Sequence, residues 1–458
     1  MLIRSRRDFF KDAVRSVTAL GALGAMSKFG EMNALAQAQG TGYRAMVCIF
    51  LNGGNDGHNM VIPINTLQQD NTLYAKARAG LALNPLSLPN IYDGNDIYGL
   101  HPKLTEIAGL YAAGNAAVVA NVGMLVKPFV DRNDYLHASS ANLPNALFSH
   151  SDQSTQWQTA IPSGLGNTGW GGRMADNAQT ANSAAVFPSV TATTGCQLFC
   201  TGSQTFPTTV PVGGDSLLNG TSGSPPRSNG VQTLLKFDNG MQLVQAANGI
   251  LGRGVGYSNT LNALLAQANV PTVFPAGNLL GAQLQTVARM ISIRKQLGIT
   301  RQIFFCSLGG FDTHGGQLPV QDNLMQQLSQ AVAAFYQSTK DLAVDQLVTT
   351  FTASEFGRTL TPNGNLGTDH AWGSHHFVIG TGQNSGGLLK GGKFYGQFPL
   401  LALGGANDAN TRGTLIPTTS VDQYAWTMAQ WFGVDPGSIG TVFPNISHFP
   451  NQNMGFLG

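Results

Sequence analysis

The chain has 458 residues, of which 10% are charged, and 25 Lys and Arg against 23 Asp and Glu give it a formal net charge of +2. A chain of this length can bury a large core. Its near-neutral balance shows no basic stripe of the kind that nucleic-acid binding requires, so nucleic acid is excluded as an expected partner.

The N-terminus begins with an adjacent arginine pair, Arg6 and Arg7, followed by two phenylalanines, a lysine and a mildly apolar stretch over residues 13–26. That order is typical of a twin-arginine export signal, with an ordinary basic amphipathic helix as the alternative. The apolar stretch is shorter than the roughly 20 residues that a transmembrane helix needs. Nearby small residues predict cleavage after Ala36 or Ala38.

A cleaved signal peptide over residues 1–38 has consequences for where the protein works. We expect the twin-arginine translocase to export the chain already folded. The mature protein is then periplasmic or secreted, with no stable insertion into the membrane.

Short apolar runs bounded by turn residues recur along the rest of the chain and predict buried parallel strands. They cover residues 45–51, 117–122, 303–308, 346–352 and 376–379. Helical patterns cover residues 104–113, 279–297, 321–342 and 421–432. Strands that alternate with helices imply an α/β fold with a doubly wound, mostly parallel sheet flanked by helices.

The segment over residues 201–275 breaks this alternation because it is rich in Gly, Ser, Thr, Asn and Pro. We expect it to be an insertion, or a cap over one sheet edge, within a single domain over residues 39–458.

Four cysteines are present, and two of them, Cys196 and Cys200, lie four residues apart in a Gly- and Thr-rich stretch. An oxidising compartment would allow these two to pair. Cys48 and Cys306 lie inside apolar runs and are expected to be small core residues.

Acidic residues and histidines cluster next to the predicted strands, where functional groups of open α/β sheets collect. They are Asp56 after the first run, Asp312 and His314 after the third, Glu355 after the fourth, and Asp369 and His370 before the last. Carboxylates packed closely repel one another unless a cation compensates. We therefore predict that these side chains converge on one pocket that holds one or two divalent metals, with zinc, manganese or iron suited to a mixed set and magnesium or calcium to carboxylates alone.

Each of these residues also has a purely structural interpretation. The alternatives are a turn at Asp56, a helix cap at Asp312 and His314, a salt bridge between Glu355 and Arg358, and an N-cap or Asx turn at Asp369.

Five short motifs accompany these positions, and together they span nearly the whole mature chain. They are FLNGGNDG at residues 50–57, GGFDTH at 309–314, SEFGRT at 354–359, GTDH at 367–370 and GGKFYG at 391–396. They resemble the exported bacterial proteins grouped as domain of unknown function 1501. That family is similar to the alkaline phosphatase and sulfatase superfamily, so the resemblance implies an alkaline phosphatase-like core with a metal site at the strand ends.

The resemblance implies a role for each matching position. Asp56 matches the first metal-binding aspartate of the superfamily, Asp312 and His314 match an aspartate and a histidine of one metal site, and His370 matches a late histidine ligand. Where the superfamily usually has an Asp-His pair, this chain has Glu355 followed by a phenylalanine. The exchange removes a nitrogen ligand and favours a single or differently populated site over a two-zinc site.

The superfamily places its nucleophile at the start of a helix, where the helix end and the metal lower its pKa. The matching candidate is Ser149 in the stretch FSHSD, although Ser149 or Asp152 could simply cap the helix. Arg358 could bind an anionic group, because its fork suits phosphate or sulfate. Packing or a salt bridge explains it equally well.

The expected function is that of an exported metal-dependent hydrolase of phosphate or sulfate esters, using zinc, manganese or magnesium and an activated serine or water as nucleophile. An anionic ester is then the expected substrate. A sulfatase with the formylglycine modification is disfavoured because no Cys-x-Pro-x-Arg stretch is present. The alternative is a non-catalytic periplasmic binding or envelope assembly protein that retains the fold and a residual metal site, since one fold hosts many functions.

Overall fold

The structure is a computed structural model, and it describes residues 42–183, 185, 187–194, 197–213, 224–238 and 240–458. The predicted signal peptide over residues 1–38 lies outside the described residues. Cys196 does too, so its pairing with the buried Cys200 stays a prediction. Cys48 and Cys306 are buried in the core.

Strands and helices alternate along much of the chain. The strands are β1 (Arg44–Asn52), β2 (Val61–Asn65), β3 (Asn90–Asp93), β4 (Asp96–Leu100), β5 (Ala116–Gly123), β6 (Val190–Ala192), β7 (Thr208–Thr209), β8 (Arg301–Gly309), β9 (Val348–Ala353), β10 (Ser374–Ile379), β11 (Phe394–Tyr395) and β12 (Thr419–Ser420). The α-helices are α1 (Gly57–Met60), α2 (Asn71–Arg78), α3 (Thr105–Ala112), α4 (Arg132–Leu136), α5 (His150–Thr159), α6 (Trp170–Asn177), α7 (Pro225–Leu235), α8 (Gln242–Ala266), α9 (Leu279–Ser292), α10 (Gln317–Asp341), α11 (Val421–Phe432) and α12 (Ile439–Val442).

The main sheet has the strand order β11-β5-β10-β9-β1-β8-β6-β7, and β12 pairs with β5. β1 lies between β8 and β9 and is parallel to both. Parallel pairing continues from β8 through β6 to β7. The predicted α/β class with a mostly parallel sheet is therefore confirmed.

The prediction of a parallel strand at residues 376–379 was wrong, because β10 runs antiparallel to both β5 and β9. The cause is the connection that precedes it. Residues 354–373 contain no helix, whereas a parallel neighbour requires a crossover that usually includes one. The chain therefore returns from β9 to its neighbour β10 through a loop without a helix, residues 354–373.

Helices cover both faces of the sheet, and the alternation of side chains along β1 shows how. Val47 and Ile49 face a core shared with α9 and α10, whereas Met46, Cys48 and Phe50 face a second core shared with α6 and α11. Burial on both faces explains why β1 is a continuous apolar run rather than an alternating one. A separate antiparallel sheet has the order β2-β4-β3.

The predicted insertion over residues 201–275 contains β7 at the sheet edge and the helices α7 and α8. Near the C-terminal end of α8, Leu261 and Leu265 are buried in the core. The segment thus contributes an edge strand to the sheet and has helices of its own. The predicted domain boundaries stay a prediction. No helix in the described part of the chain is long and apolar enough to span a bilayer.

Candidate metal centre

Two glycines after β1 allow three strand ends to approach one another. Gly53 and Gly54 have φ values of +119° and +79°. A Cβ atom on Gly53 would lie 2.4 Å from the backbone nitrogen of Asp312, and one on Gly54 would lie 2.4 Å from the ring of Phe356. Both the positive φ and the close backbone approach require glycine here.

We expect Gly53→Ala to lower the free energy of unfolding by at least about 2 kcal/mol, because strain and a backbone clash act together. Gly277→Ala is the matched control. It also has a positive φ, of +72°, but no atom lies within 4 Å of its Cβ position, so it should cost only about 1 kcal/mol. Urea unfolding measures both, and equal losses would contradict the role of the close approach.

Three imidazoles surround one carboxylate at the carboxyl ends of β8 and β9. The Nε2 atoms of His314, His370 and His150 lie 3.0, 3.3 and 3.5 Å from Asp312 Oδ1. The Nε2 atom of His370 is 2.9 Å from that of His314 and 3.1 Å from that of His150. We call these four residues the His/Asp cluster.

The opposite nitrogen of each ring also faces an acceptor. The Nδ1 contacts are Glu355 Oε1 at 2.9 Å for His150, Asp369 Oδ1 at 3.3 Å for His314, and the Phe148 carbonyl oxygen at 2.8 Å for His370. Such acceptors behind a ring fix its tautomer and orientation and are typical of histidines that bind metals. In the tautomer with protonated Nδ1 atoms, the Nε2 lone pairs point inward.

This arrangement requires a positive charge among the Nε2 atoms. Two protons on every ring would bring three imidazolium ions together. That is disfavoured at His370, whose pKa is lowered by burial and by the charges of Arg358 and the neighbouring imidazoles, despite the Phe148 carbonyl. One divalent cation resolves the conflict. Tetrahedral zinc with bonds of about 2.0–2.1 Å separates its nitrogen ligands by roughly 3.3 Å, close to the distances found here.

Among the described residues, one group of three or more potential metal ligands satisfies simple distance criteria, with one ligand atom of His150, Asp312 and His370 all within 4.8 Å of one another. His314 joins it through the contacts given above. The donor set of three imidazoles and one carboxylate fits a borderline metal such as zinc better than magnesium.

Asp312 is ionised and oriented by Arg358. Burial raises the pKa of Asp312, but the hydrogen bond and charge of Arg358, with the nearby imidazoles, outweigh burial and lower this pKa to about 2. Arg358 is fully buried, and its other N–H groups point to the carbonyl oxygens of Gly53, Gly54 and Thr368 and to His314 Nε2. The predicted anion-binding guanidinium is thus engaged within the protein.

Two predicted metal ligands, Glu355 and Asp369, lie behind the cluster and contact imidazole Nδ1 atoms. Glu355 is buried and also accepts a hydrogen bond from Gly53 N at 2.9 Å. Asp369 pairs with Arg412 at 2.6 Å and accepts from Asn363 at 3.1 Å. Their position is that of side chains that orient ligands.

The structure does not bring Asp56 into the cluster. Its Oδ1 accepts from the backbone nitrogens of His58 and Asn59 at 3.0 and 3.4 Å, and its Oδ2 contacts Arg78 and Gln317. Burial raises the pKa of Asp56, but the charge of Arg78 and these hydrogen bonds lower it overall. An arginine therefore balances this carboxylate.

His150 is absent from the predicted ligands, although it lies in the same FSHSD stretch as Ser149. Helix α5 begins at His150, the third residue of this stretch. Phe148, the first residue of the stretch, has a φ of +71°, a strained value for a bulky residue. Ser149 is the N-cap residue, and its Oγ donates to Asp152 and lies 3.2 Å from Ser151 Oγ. His150 thus directly follows the predicted nucleophile, and this position in the sequence could have indicated that it belongs to the site.

The fold and site define an α/β protein with a candidate metal centre at the carboxyl ends of its central strands. The family model described as "Protein of unknown function (DUF1501)" matches residues 260–429. That range contains Asp312, His314 and His370, whereas His150 and Asp56 lie outside it. No curated protein matches the chain significantly.

Solved structures with similarity to this chain include two from bacteria. The C-terminal periplasmic domain of EcEptC from Escherichia coli, in complex with Zn, is 10% identical, with 75% of this chain and 74% of that chain covered and a TM-score of 0.34. The PsFucS1 sulfatase from Pseudoalteromonas sp. is 10% identical, with 100% of this chain and 75% of that chain covered and a TM-score of 0.33.

Proposed function

We propose that this protein is an exported metal-dependent hydrolase of phosphate or sulfate esters, with the His/Asp cluster as the ligand set of one divalent metal. The supporting observation is the convergence of three Nε2 atoms whose rings are already hydrogen-bonded at Nδ1. The cluster is open to a substrate, since the side chains of Asp312 and His314 are 47% and 46% exposed. Zinc suits this donor set best.

The destination follows from the arginine pair near the N-terminus. Arg6 and Arg7 support export by the twin-arginine translocase to the periplasm or the medium. Export in the folded state would let the protein acquire its metal in the cytoplasm, where the supply is controlled.

When bound, a divalent metal would supply Lewis-acid stabilisation of charge on the ester oxygens. Ser149 is the proposed nucleophile and Asp152 the acceptor of its proton, since the Ser149 hydroxyl already donates to that carboxylate. Attack forms a bond from Oγ to phosphorus or sulfur and breaks the bond to the leaving oxygen, which takes up the proton held by Asp152 and departs as the alcohol. Water then hydrolyses the serine ester. The N-terminal end of α5 favours the negative charge that develops at Oγ.

We expect Ser149→Ala to reduce turnover at least ~100-fold with unchanged metal content, because it removes the attacking oxygen and no ligand. Ser163→Ala is the control, since Ser163 is an exposed serine just beyond the same helix. Initial rates and metal analysis of the same preparations check this. Full activity in Ser149→Ala would instead assign the attack to water.

A second candidate is a non-catalytic metal-binding protein of the cell envelope. It is favoured by Arg358, because four of its five N–H groups already have oxygen acceptors within the protein and leave one at most for an anionic ester. Metal analysis of protein purified from the periplasm, followed by assays with chromogenic phosphate monoesters, phosphate diesters and a sulfate ester, separates the two. Metal with hydrolysis supports the enzyme, and metal without hydrolysis supports the second candidate. A folded protein with neither contradicts both.

A further inference from the structure

Asp56 lies outside the His/Asp cluster, but it is connected to the loops that carry three of the four cluster residues. Its Oδ2 contacts Gln317 and Arg78, and Gln321 Nε2 donates to its backbone carbonyl at 3.0 Å. All four residues are at most 2% exposed. A buried polar group of this kind is stable only when its hydrogen bonds are satisfied, so the geometry of each partner is constrained by the others.

One branch of this network runs through Gln317, the first residue of α10. Gln317 Oε1 accepts from Thr313 Oγ1 at 3.1 Å and from Thr368 Oγ1 at 2.6 Å. The Thr368 backbone nitrogen also donates to the Thr313 carbonyl at 3.0 Å. Thr313 lies between two cluster residues, and Thr368 lies two residues before a third. Gln317 therefore holds the two loops together.

The other branch runs through Arg78, the last residue of α2. Its Nη1 donates to the carbonyl oxygens of Thr359 and Leu360, both at 3.1 Å. Thr359 follows Arg358, which orients the cluster carboxylate, and it exchanges hydrogen bonds of 2.9 and 3.1 Å with Asp369. Arg78 therefore fixes the loop that carries Arg358 and that is hydrogen-bonded to Asp369.

We infer that Asp56 is a positioning residue of the His/Asp cluster, which acts through Gln317 and Arg78 and not as a metal ligand. The inference rests on the proposed metal site. Without the Asp56 carboxylate, two buried donors lose their shared acceptor, and the loops on both sides are free to shift. Outer partners of metal ligands typically change affinity by about 10–100-fold.

The test uses Asp56→Asn and Gln317→Met in the full-length protein, titrated with zinc against a chromophoric chelator. We expect each variant to bind one zinc per chain with a Kd raised about 10-fold, the lower end of the range for direct partners of metal ligands, because Asp56 and Gln317 act one residue further out. The double variant should have the same zinc Kd as the single variant that binds zinc more weakly, because both changes interrupt the same hydrogen-bond network. Asp176→Asn is the matched control. Its carboxylate accepts from three backbone nitrogens of a different loop, residues 203–205, and its zinc affinity should equal that of the unmodified protein.

A second readout needs no metal. In metal-free protein labelled with [¹⁵N]histidine, the imidazole resonances of His314 and His370 should shift in Asp56→Asn and Gln317→Met but not in Asp176→Asn. If Asp56→Asn and Gln317→Met both leave the imidazole resonances and the zinc Kd unchanged, the inference is overturned. It is also overturned if Asp56→Asn binds no zinc at any concentration while Gln317→Met still binds it, because Asp56 would then be a ligand. If the unmodified protein takes up no zinc, the proposed function fails, while the imidazole spectra still decide the role of Asp56. If Asp56→Asn does not fold, Gln317→Met decides it alone.

Discussion

Asp312→Ala is expected to lose bound metal and ester hydrolysis together. Asp312 Oδ1 is the atom that all three imidazole Nε2 atoms of the cluster approach, at 3.0 to 3.5 Å. Its removal takes away the charged ligand of the proposed metal and leaves the buried Arg358 guanidinium without its carboxylate. We expect metal affinity to fall by more than ~100-fold, beyond the range typical of outer partners, and hydrolysis to fall with it.

The control for this variant is Asp322→Ala. Asp312 and Asp322 have equal side-chain exposure, 47%, and Asp322 Oδ1 also lies near an imidazole, 3.3 Å from His101 Nε2. Metal content by mass spectrometry, hydrolysis and circular dichroism are measured on both proteins. Asp312→Asn, which keeps an acceptor for Arg358, distinguishes loss of the ligand from loss of the fold. Unchanged metal content in both Asp312 variants would refute the ligand assignment.

Asp422→Asn is expected to change how stability depends on pH. Asp422 lies in the first turn of α11 and is fully buried, with Asn445 and Arg173 near its carboxylate. Burial raises its pKa to about 7, above the ordinary value of 3.8 that it has in an unfolded chain. The folded state therefore favours the protonated acid. Between about pH 4 and pH 7 the Asp422 carboxyl ionises in the unfolded chain but stays protonated in the folded protein. Ionisation therefore stabilises the unfolded state over this range, so stability falls as the pH rises.

The asparagine variant lacks this loss. The free energy of unfolding of the variant, minus that of the unmodified protein, should be about 3 kcal/mol larger at pH 8 than at pH 4.5, since one pKa unit corresponds to about 1.4 kcal/mol. Urea unfolding at the two pH values measures this difference, which is independent of any constant cost of placing an amide in the core. Asp435→Asn, at an exposed site beyond the same helix, serves as the control. Equal pH dependence of Asp422→Asn and the unmodified protein would contradict the prediction.

The sequence predicted β1, β5, β8, β9 and β10, because these strands are buried on both faces and read as unbroken apolar runs. It missed the short strands of two to five residues, whose apolar runs are too brief to stand out. The direction of β10 was not predictable in the same way. Direction depends on the connection, and the polar loop over residues 354–373 carries no signal that excludes a short crossover. Helices α9 and α10 were predicted from their periodicity, with ends that differ by a few residues.

The sequence grouped Asp312, His314 and His370 because they lie within five residues of a strand end, and the structure brings these three side chains together. Their role as metal ligands stays a prediction. His150 was missed because it begins a helix, and only the tertiary fold brings it to the strand ends. Asp56 and Arg78 show a second limit. Their ion pair joins a tight turn to a helix 22 residues away, and neither residue type nor spacing distinguishes an aspartate held by arginine from one that binds a metal.

The order of the cluster residues along the chain bears on how the protein matures. His150 precedes Asp312 by 162 residues, and the other two members follow within the next 58. A bound cation would therefore cross-link two distant segments and close a long loop of chain. Only a chain with both segments in place offers the complete ligand set. Metal binding would thus be a late step of folding. Metal occupancy would distinguish fully folded molecules from those in which the segment with Asp312 has not yet packed against the segment with His150.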